Sequence, residues 1–185
     1  FEEFAWHVRR QNCLARQRKG TCGYWRFGAK MDSYLHLGRL FADSKLLFAI
    51  PESFTLQLRA QPQMHPFLSK NCDDFLLIGL LHPGIDVAQE IFQRPQFQKA
   101  ELILLRRMAE IYWDVGPLIS CSGKSAVIVV DFIYSAQTIR RLLASLQYLE
   151  VNVIAVLSIL TIQSPAIADI NVLSFCECTK DEYDS

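Results

Sequence analysis

One carboxylate and a short set of small or hydroxyl-bearing residues follow an apolar run of the chain. Asp131 comes directly after the run 126–130, and Ser135, Ala136 and Thr138 lie in the next seven positions. A carboxylate at a strand end can accept hydrogen bonds from ribose hydroxyls, and a turn of small residues lets backbone N–H groups surround a phosphate. Two interpretations fit the pattern equally well: a vestigial or weakened ribose-phosphate pocket, and a solvated strand-end acid.

The segments around Asp131 predict a βαβ unit. The run 126–130 is continuously apolar and β-branched, as in a strand covered on both faces. Apolar residues then recur at helical spacing over 139–149, which predicts an amphipathic helix capped by Ser135 or Thr138. A second apolar strand follows over 151–157, and the helix between them is the crossover that parallel pairing requires.

A similar unit lies upstream. Segment 75–78 reads as a strand, a turn runs from Gly79 to Gly84, a helix spans 87–92, and a further strand lies around 102–105. This alternation predicts an α/β fold with a doubly wound, mainly parallel sheet and helices on both faces. Ligands of such sheets bind beyond the carboxyl ends of the strands, here at the turns 79–84 and 131–138.

The flanking segments are less regular. Asp43 and Ser44 offer caps for a helix through Leu46 and Ile50, and Pro51 either kinks that helix or starts a second one. Segment 106–123 has little periodicity and is predicted to be a long loop.

Charge is unevenly distributed along a chain whose formal net charge is zero. We expect a basic N-terminal arm over 1–22, one domain over 23–178 and an acidic polar tail over 179–185. Arg-rich arms commonly contact RNA or acidic protein surfaces. The residues expected to make such contacts are Arg9, Arg10, Arg16, Arg18 and Lys19.

The six cysteines are scattered through a domain large enough to build its own core. We therefore expect reduced thiols in an intracellular compartment, and the basic start without Met suggests the mitochondrial matrix. Cys176 and Cys178 alternate as strand residues do, whereas zinc pairs are usually spaced more widely, so no metal site is expected. The longest apolar stretch, 151–162, is too short to span a bilayer.

The tripeptide of Gly123, Lys124 and Ser125 resembles part of a phosphate-binding P-loop. Leu118 occupies the position of the first glycine, and a strand rather than a helix follows. The P-loop interpretation is therefore rejected.

Segment 129–139 resembles the phosphoribosyl pyrophosphate signature of type I phosphoribosyltransferases. In that family two acidic residues end a strand, and a turn containing Thr and Gly leads into a helix. Asp131 takes the second acidic position and Val130 replaces the first. Ser135 stands for the Thr, Ala136 for the Gly, and Thr138 keeps the closing hydroxyl.

Other segments resemble orotate phosphoribosyltransferases in the same order along the chain. Segment 25–34 is similar to their N-terminal substrate motif, with Arg26 for a Lys, Gly28 for a Gly and Lys30 at a later basic position. Segment 78–88 resembles the pyrophosphate-binding loop, where Gly84 matches a glycine, and 170–175 resembles a late strand. The resemblance implies this fold, catalysis with phosphoribosyl pyrophosphate and Mg²⁺, and a homodimer.

Departures from the family pattern argue against catalysis. Family enzymes cover the reacting centre with a loop carrying Lys and His, but 107–123 contains no His, and the nearest cations are Lys124, Arg106 and Arg107. Losing such groups removes transition-state contributions of a few kcal/mol each. We therefore predict a non-catalytic structural subunit, without cofactor, of a larger and possibly mitochondrial ribonucleoprotein assembly. The alternatives are an active orotate phosphoribosyltransferase using Mg²⁺ and a nucleotide sensor.

Overall fold

The structure, a computed structural model, describes most of the chain from Ser44 onwards and four short backbone segments before it. The described ranges are 14–16, 24–26, 29–31, 33–35, 44–68, 74–106, 116–134, 136–162, 167 and 170–178.

Two short antiparallel pairs precede the main sheet. Strand β1 (Leu14–Arg16) pairs with β4 (Ser33–Leu35), and β2 (Tyr24–Arg26) pairs with β3 (Ala29–Met31). The main sheet is parallel throughout and has the order β6-β5-β7-β8-β9. Its strands are β5 (Phe75–Leu80), β6 (Glu101–Leu105), β7 (Ser125–Ile133), β8 (Asn152–Ile162) and β9 (Asn171–Cys178).

Four α-helices lie in the described part of the chain. They are α1 (Ser44–Arg59), the single turn α2 (His65–Leu68), α3 (Gly84–Phe92) and α4 (Gln137–Tyr148). Short 3-10 turns occupy Pro62–Met64, Pro95–Phe97 and Gly116–Cys121.

Both faces of the sheet are covered, as the continuous apolar strands require. On one face, Phe54 of α1 and Ala88 of α3 join a buried cluster with Val129 of β7. On the other face, Leu142 of α4 packs in a second cluster with Ile128. The predicted doubly wound α/β fold with helices on both faces is confirmed.

Helix α1 runs antiparallel to the strands that it covers. Its Gln57 side chain donates to the Ser174 carbonyl at 3.4 Å, and Asn171, the first residue of β9, donates to Gln61 just beyond the helix at 2.9 Å. Because the end of α1 lies beside the start of β9, the helix begins towards the carboxyl edge of the sheet.

Helix α3 approaches β5 closely because Gly79 has no side chain. A Cβ at Gly79 would lie 2.9 Å from the Ala88 Cβ and 3.2 Å from the Ile85 Cα. The helix therefore packs on the strand at a separation that only glycine permits.

Several predicted boundaries shift. Strand β5 continues to Leu80, so the turn begins at Leu81 rather than at Gly79. Strand β7 continues to Ile133 and includes Asp131. Helix α1 continues through Pro51, and no second helix starts there. Part of the predicted 106–123 loop forms the 3-10 turn at Gly116–Cys121.

Two further sequence expectations concern cysteines and membranes. Cys121 and Cys176 are buried thiols that take part in no disulfide, and burial raises the pKa of Cys121. Among the helices that the structure describes, none is both long and apolar enough to cross a membrane.

The Gly79 contact gives a stability prediction. We expect Gly79→Ala to lower the free energy of unfolding by about 1–3 kcal/mol, because the new methyl group overpacks the α3 interface. Chemical denaturation measures this change. Gly123→Asn is the control: no heavy atom lies within 4 Å of a Cβ there, and asparagine tolerates its φ of +76°. A Gly79→Ala variant as stable as the control would show that α3 can move away at no cost.

Candidate functional site

The carboxyl ends of β5 and β7 form the switch point of the sheet. These strands are hydrogen-bonded neighbours, with Leu80 opposite Val130. The crossover from β5 runs through α3 on one face, and the crossover from β7 runs through α4 on the other. Such a reversal leaves a crevice at the strand ends, which is where ligands of open α/β sheets bind.

Gly84 joins the two predicted ligand-binding turns. As the first residue of α3, it lies against the backbone of β7. A Cβ at Gly84 would be 3.0 Å from the Val129 carbonyl oxygen, 3.0 Å from the Val130 Cα and 3.1 Å from the Asp131 amide nitrogen. The start of α3 and the Asp131 segment are therefore in direct backbone contact.

Asp131 is nearly buried, with 5% of its surface exposed. Its Oδ1 accepts a hydrogen bond from the Phe132 N–H at 2.8 Å. Val129 and Phe132 pack on the α1/α3 face, whereas Val130 and Ile133 pack on the α4 face. A regular strand alternates its faces every residue, so the strand is irregular at Asp131.

Val130 belongs to the apolar core. It is 4% exposed and lies in the cluster that α4 covers. The position that carries the first acidic residue in the phosphoribosyltransferase signature thus contributes packing here.

The predicted phosphate turn, 131–138, leads into α4 with an unusual backbone conformation at Ala136. Ala136 has φ 57° and ψ 6°, in the left-handed region that favours glycine, and its carbonyl accepts the Arg140 N–H at 2.9 Å. Ala136 is the N-cap and makes no side-chain capping bond, so the predicted Thr138 cap is wrong: Thr138 is half-buried inside the helix. Ser135, the other predicted cap, lies outside the described residues.

A second non-glycine residue at the same edge has positive φ. Leu81, directly after β5, has φ 50°. Its N–H donates to the Leu105 carbonyl at 2.9 Å, and its carbonyl accepts the Ile85 N–H at 2.8 Å. Strained backbone of this kind costs of order 1–3 kcal/mol per residue and tends to cluster at binding sites.

The edge is electrostatically suited to an anion. Helices α3 and α4 both begin here, and helix N-termini carry partial positive charge and exposed N–H groups. Arg106 directly follows β6 at the same edge. Arg107 lies outside the described residues.

The predicted turn residue His82 lies in the turn before α3, joined to Pro83 by a cis peptide bond. Its Nδ1 is 3.3 Å from Asp86 Oδ1, and both side chains are exposed. The pair therefore holds the turn to the first turn of the helix.

An aromatic pair beside Asp131 was not predicted as part of the site. The Phe132 and Tyr134 rings are stacked, with centroids 6.3 Å apart and an interplanar angle of 27°. Phe132 is half-buried against the α1/α3 face, and Tyr134 is 37% exposed. The signal that could have indicated them is the presence of aromatic residues one and three positions after an acid at a strand end.

Some of the other predicted site residues lie in the short antiparallel pairs that precede the main sheet. Arg26 pairs with Ala29 and Lys30 with Trp25 in the β2–β3 pair, and only their backbone is described. Arg16 is the last residue of β1, and only its backbone is described. The remaining predicted residues, which lie outside the described ranges, are Gly28, Arg9, Arg10, Arg18 and Lys19.

Lys124 lies at the opposite end of the sheet. It precedes β7, and its Nζ is 2.6 Å from Oε2 of Glu101, the first residue of β6. This hydrogen bond raises the pKa of Lys124. The ion pair stabilises the amino edge, which agrees with rejecting a P-loop.

Protein ligands for a metal ion are sparse. No group of three or more His, Cys, Asp or Glu side chains in the described part of the chain could hold one. Asp131 is a single carboxylate at the carboxyl edge, and magnesium sites that use substrate phosphates take one or two carboxylates from the protein.

Comparison with known proteins gives structural likeness without sequence matches. No protein-family model and no curated protein matches the chain. Among solved structures, UMP synthase of Leishmania donovani has a TM-score of 0.63 at 16% identity, covering 95% of this chain but only 36% of the enzyme. The chain therefore spans about a third of that protein.

Two further structures match over most of their own length. Orotate phosphoribosyltransferase of Aeropyrum pernix has a TM-score of 0.63 at 15% identity, covering 94% of this chain and 93% of the enzyme. Adenine phosphoribosyltransferase of Thermoanaerobacter pseudethanolicus has a TM-score of 0.61 at 12% identity. The match covers 82% of this chain and 92% of the enzyme. The chain has the type I phosphoribosyltransferase fold, as the sequence resemblance predicted.

The left-handed Ala136 predicts how the phosphate turn responds to substitution. We expect Ala136→Val to destabilise the protein by more than about 2 kcal/mol, because β-branched residues are genuine outliers at positive φ. Ala136→Gly should fall within about 1 kcal/mol of wild type, since relief of the left-handed conformation offsets the buried methyl group that is lost. Thermal unfolding of the three proteins measures both values; a Val variant as stable as the Gly variant would contradict the assigned conformation.

Proposed function

We propose that this chain, which has the type I phosphoribosyltransferase fold, binds the ribose 5-phosphate part of a ligand at the switch point without catalysing its transfer. The observation that carries the proposal is the end of β7, where Asp131 is kept at the ligand-binding edge while Val130 is packed into the core. One carboxylate suffices to accept ribose hydroxyl groups, whereas the second acidic residue of the signature is replaced.

The backbone of the pocket supports binding. Ala136 adopts the conformation that the glycine of the signature would adopt with less strain, so the phosphate turn keeps its shape. Gly84 holds the start of α3 against Asp131, which presents two helix N-termini to one crevice. Backbone N–H groups at helix starts bind phosphate whatever the side chains.

The side chains argue against turnover. Phosphoribosyl transfer needs positive charge around the departing pyrophosphate, and each preorganised group is typically worth about 3 kcal/mol in such a transition state. Lys124 is paired with Glu101 at the far edge of the sheet. In the described part of the chain, the edge with Asp131 carries Arg106 directly after a strand, but no lysine in that position.

We further propose that the protein serves as a structural subunit of a larger ribonucleoprotein assembly, with the mitochondrial matrix as its compartment. The basic arm of 1–22 supports this proposal, because clustered Arg and Lys side chains bind RNA phosphates or acidic protein surfaces.

An active orotate phosphoribosyltransferase is the second candidate. It is favoured by the likeness to enzymes of that name and by the retained Asp131. It would require Mg²⁺ supplied with the pyrophosphate group of the substrate.

Calorimetric titration with phosphoribosyl pyrophosphate and Mg²⁺, followed by an assay for orotidylate, tests the two candidates. We expect wild-type binding without turnover, and at least about 10-fold weaker binding by Asp131→Asn, because hydrogen bonds to charged groups are worth about 1.5–3 kcal/mol. Lys124→Met, altered at the opposite edge, should bind like wild type. Orotidylate formation that Asp131→Asn abolishes would establish the enzyme instead, and no binding by the folded wild type would overturn the pocket.

The basic arm has its own test. We expect the chain to bind generic single-stranded RNA with an affinity that falls steeply between 50 and 200 mM salt, because phosphate contacts release counterions. Replacing five basic side chains by Gln should flatten that salt dependence; those residues are Arg9, Arg10, Arg16, Arg18 and Lys19. An unchanged salt slope in filter-binding assays would exclude the arm as the RNA contact.

A further inference from the structure

We propose that the outward face of α4 is a second RNA contact of this protein, in which Arg140 and Arg141 bind phosphates and Tyr148 stacks on a base. The inference rests on the proposed ribonucleoprotein role and assigns part of the RNA contact to the folded domain, separate from the basic arm.

The outward face of α4 is the side turned away from the sheet. The buried side chains of the helix, Ile139, Leu142 and Leu146, pack in the core cluster on that side of the sheet. The exposed residues fall within an arc of about 120° at 3.6 residues per turn. They form one continuous strip along the helix, which we call the α4 strip: Gln137, Arg140, Arg141, Ala144, Gln147 and Tyr148.

The α4 strip is basic, unlike the other described helices that are longer than one turn. Arg140 and Arg141 are the only charged residues of α4, and Glu150, the next acid along the chain, lies beyond its end. Helix α3 has only acidic charges, at Asp86 and Glu90, and α1 has both signs. Because α1 and α3 cover the other face of the sheet, the α4 side is the one whose helical charges attract a polyanion.

Tyr148 distinguishes a nucleic acid from other polyanions. It is 86% exposed, the largest exposed fraction among the large hydrophobic side chains that the structure describes. Proteins that bind single strands combine basic groups with aromatic rings on which bases stack. An acidic protein segment has no planar base to cover the ring, so the α4 strip fits RNA better.

The spacing along the α4 strip lets one strand contact both ends. Arg141 and Tyr148 are separated by about 10 Å along the helix axis at 1.5 Å per residue. Of the exposed residues between them, Ala144 has only a methyl group, and Gln147 has an uncharged amide that can hydrogen-bond to a sugar or a base. The arginines and the ring are therefore accessible from the same side.

Filter binding of a single-stranded oligouridylate of about 12 nucleotides to the full chain tests the α4 strip. Each phosphate contact to a single strand contributes about 0.7 to the slope of log affinity against log salt. We therefore expect the double variant Arg140→Gln, Arg141→Gln to reduce the size of that slope by about 1.4 between 50 and 200 mM salt.

The ring has a different signature. Tyr148→Ala should weaken binding about 5-fold or more, because one stacked base is worth at least about that much in affinity. It should leave the salt slope unchanged, since no phosphate contact is lost. Tyr148→Phe, which keeps the ring, should bind like wild type.

Matched controls lie away from α4. The double variant Arg59→Gln, Lys99→Gln removes the same charge from exposed residues at the end of α1 and before β6, and it should leave the salt slope unchanged. Phe48→Ala removes a 64% exposed ring from α1 and should leave the affinity unchanged.

The outcomes separate the α4 strip from the basic arm. In a protein whose five basic arm residues are already Gln, the arginine double variant should again reduce the slope by about 1.4. A slope that this variant leaves unchanged, or that the Arg59 and Lys99 control reduces equally, would overturn the α4 strip and leave the arm standing. Failure of wild type to bind the oligouridylate would overturn both.

Two further results would overturn the choice of RNA as the partner of the α4 strip. One is an affinity that Tyr148→Ala leaves unchanged, which would remove the base contact. The other is equally tight binding of a glutamate peptide with the same number of charges, which would assign the strip to an acidic protein segment.

Discussion

The backbone contact between the start of α3 and the end of β7 constrains the rest of the carboxyl edge of the sheet. Gly84 lies so close to Val129, Val130 and Asp131 that a single methyl group would crowd main-chain atoms, which move less easily than side chains. Gly79 allows the same helix to settle on β5. Two glycines therefore set the distance between α3 and the sheet. They bring the turns at Gly84 and Asp131 together, although these residues are 47 positions apart in the sequence.

The crevice retains backbone features more completely than side-chain chemistry. Ala136 and Leu81 keep positive φ angles without the relief that glycine would give, so the surrounding packing must hold them there. Val130, by contrast, fills the core where an acidic residue stands in the phosphoribosyltransferase signature. A phosphate can be bound by main-chain N–H groups alone, whereas transfer chemistry depends on charged side chains. This difference is why we propose binding without transfer.

Charge is segregated between the two ends of the sheet. The Lys124–Glu101 pair stabilises the amino edge, while helix N-termini, Asp131 and the aromatic pair occupy the carboxyl edge. Lys124 lies in a tripeptide that resembles part of a P-loop, but its ion pair with Glu101 stabilises the fold. Parallel strand polarity enforces this separation, because residues before and after one strand lie at opposite edges.

The sequence alone determined the α/β class, the parallel sheet and the two turns at its carboxyl edge, because hydrophobic periodicity is a local property of the chain. It also predicted Asp131, Gly84 and Ala136 as site residues through the order of weak motifs. It misjudged the start of α4, since capping depends on backbone geometry at Ala136 that composition does not reveal. Only the tertiary structure decided that Gly84 contacts Asp131, that Lys124 lies far from them and that Tyr134 stacks beside the site, because these relations arise from strand order and helix packing between distant segments.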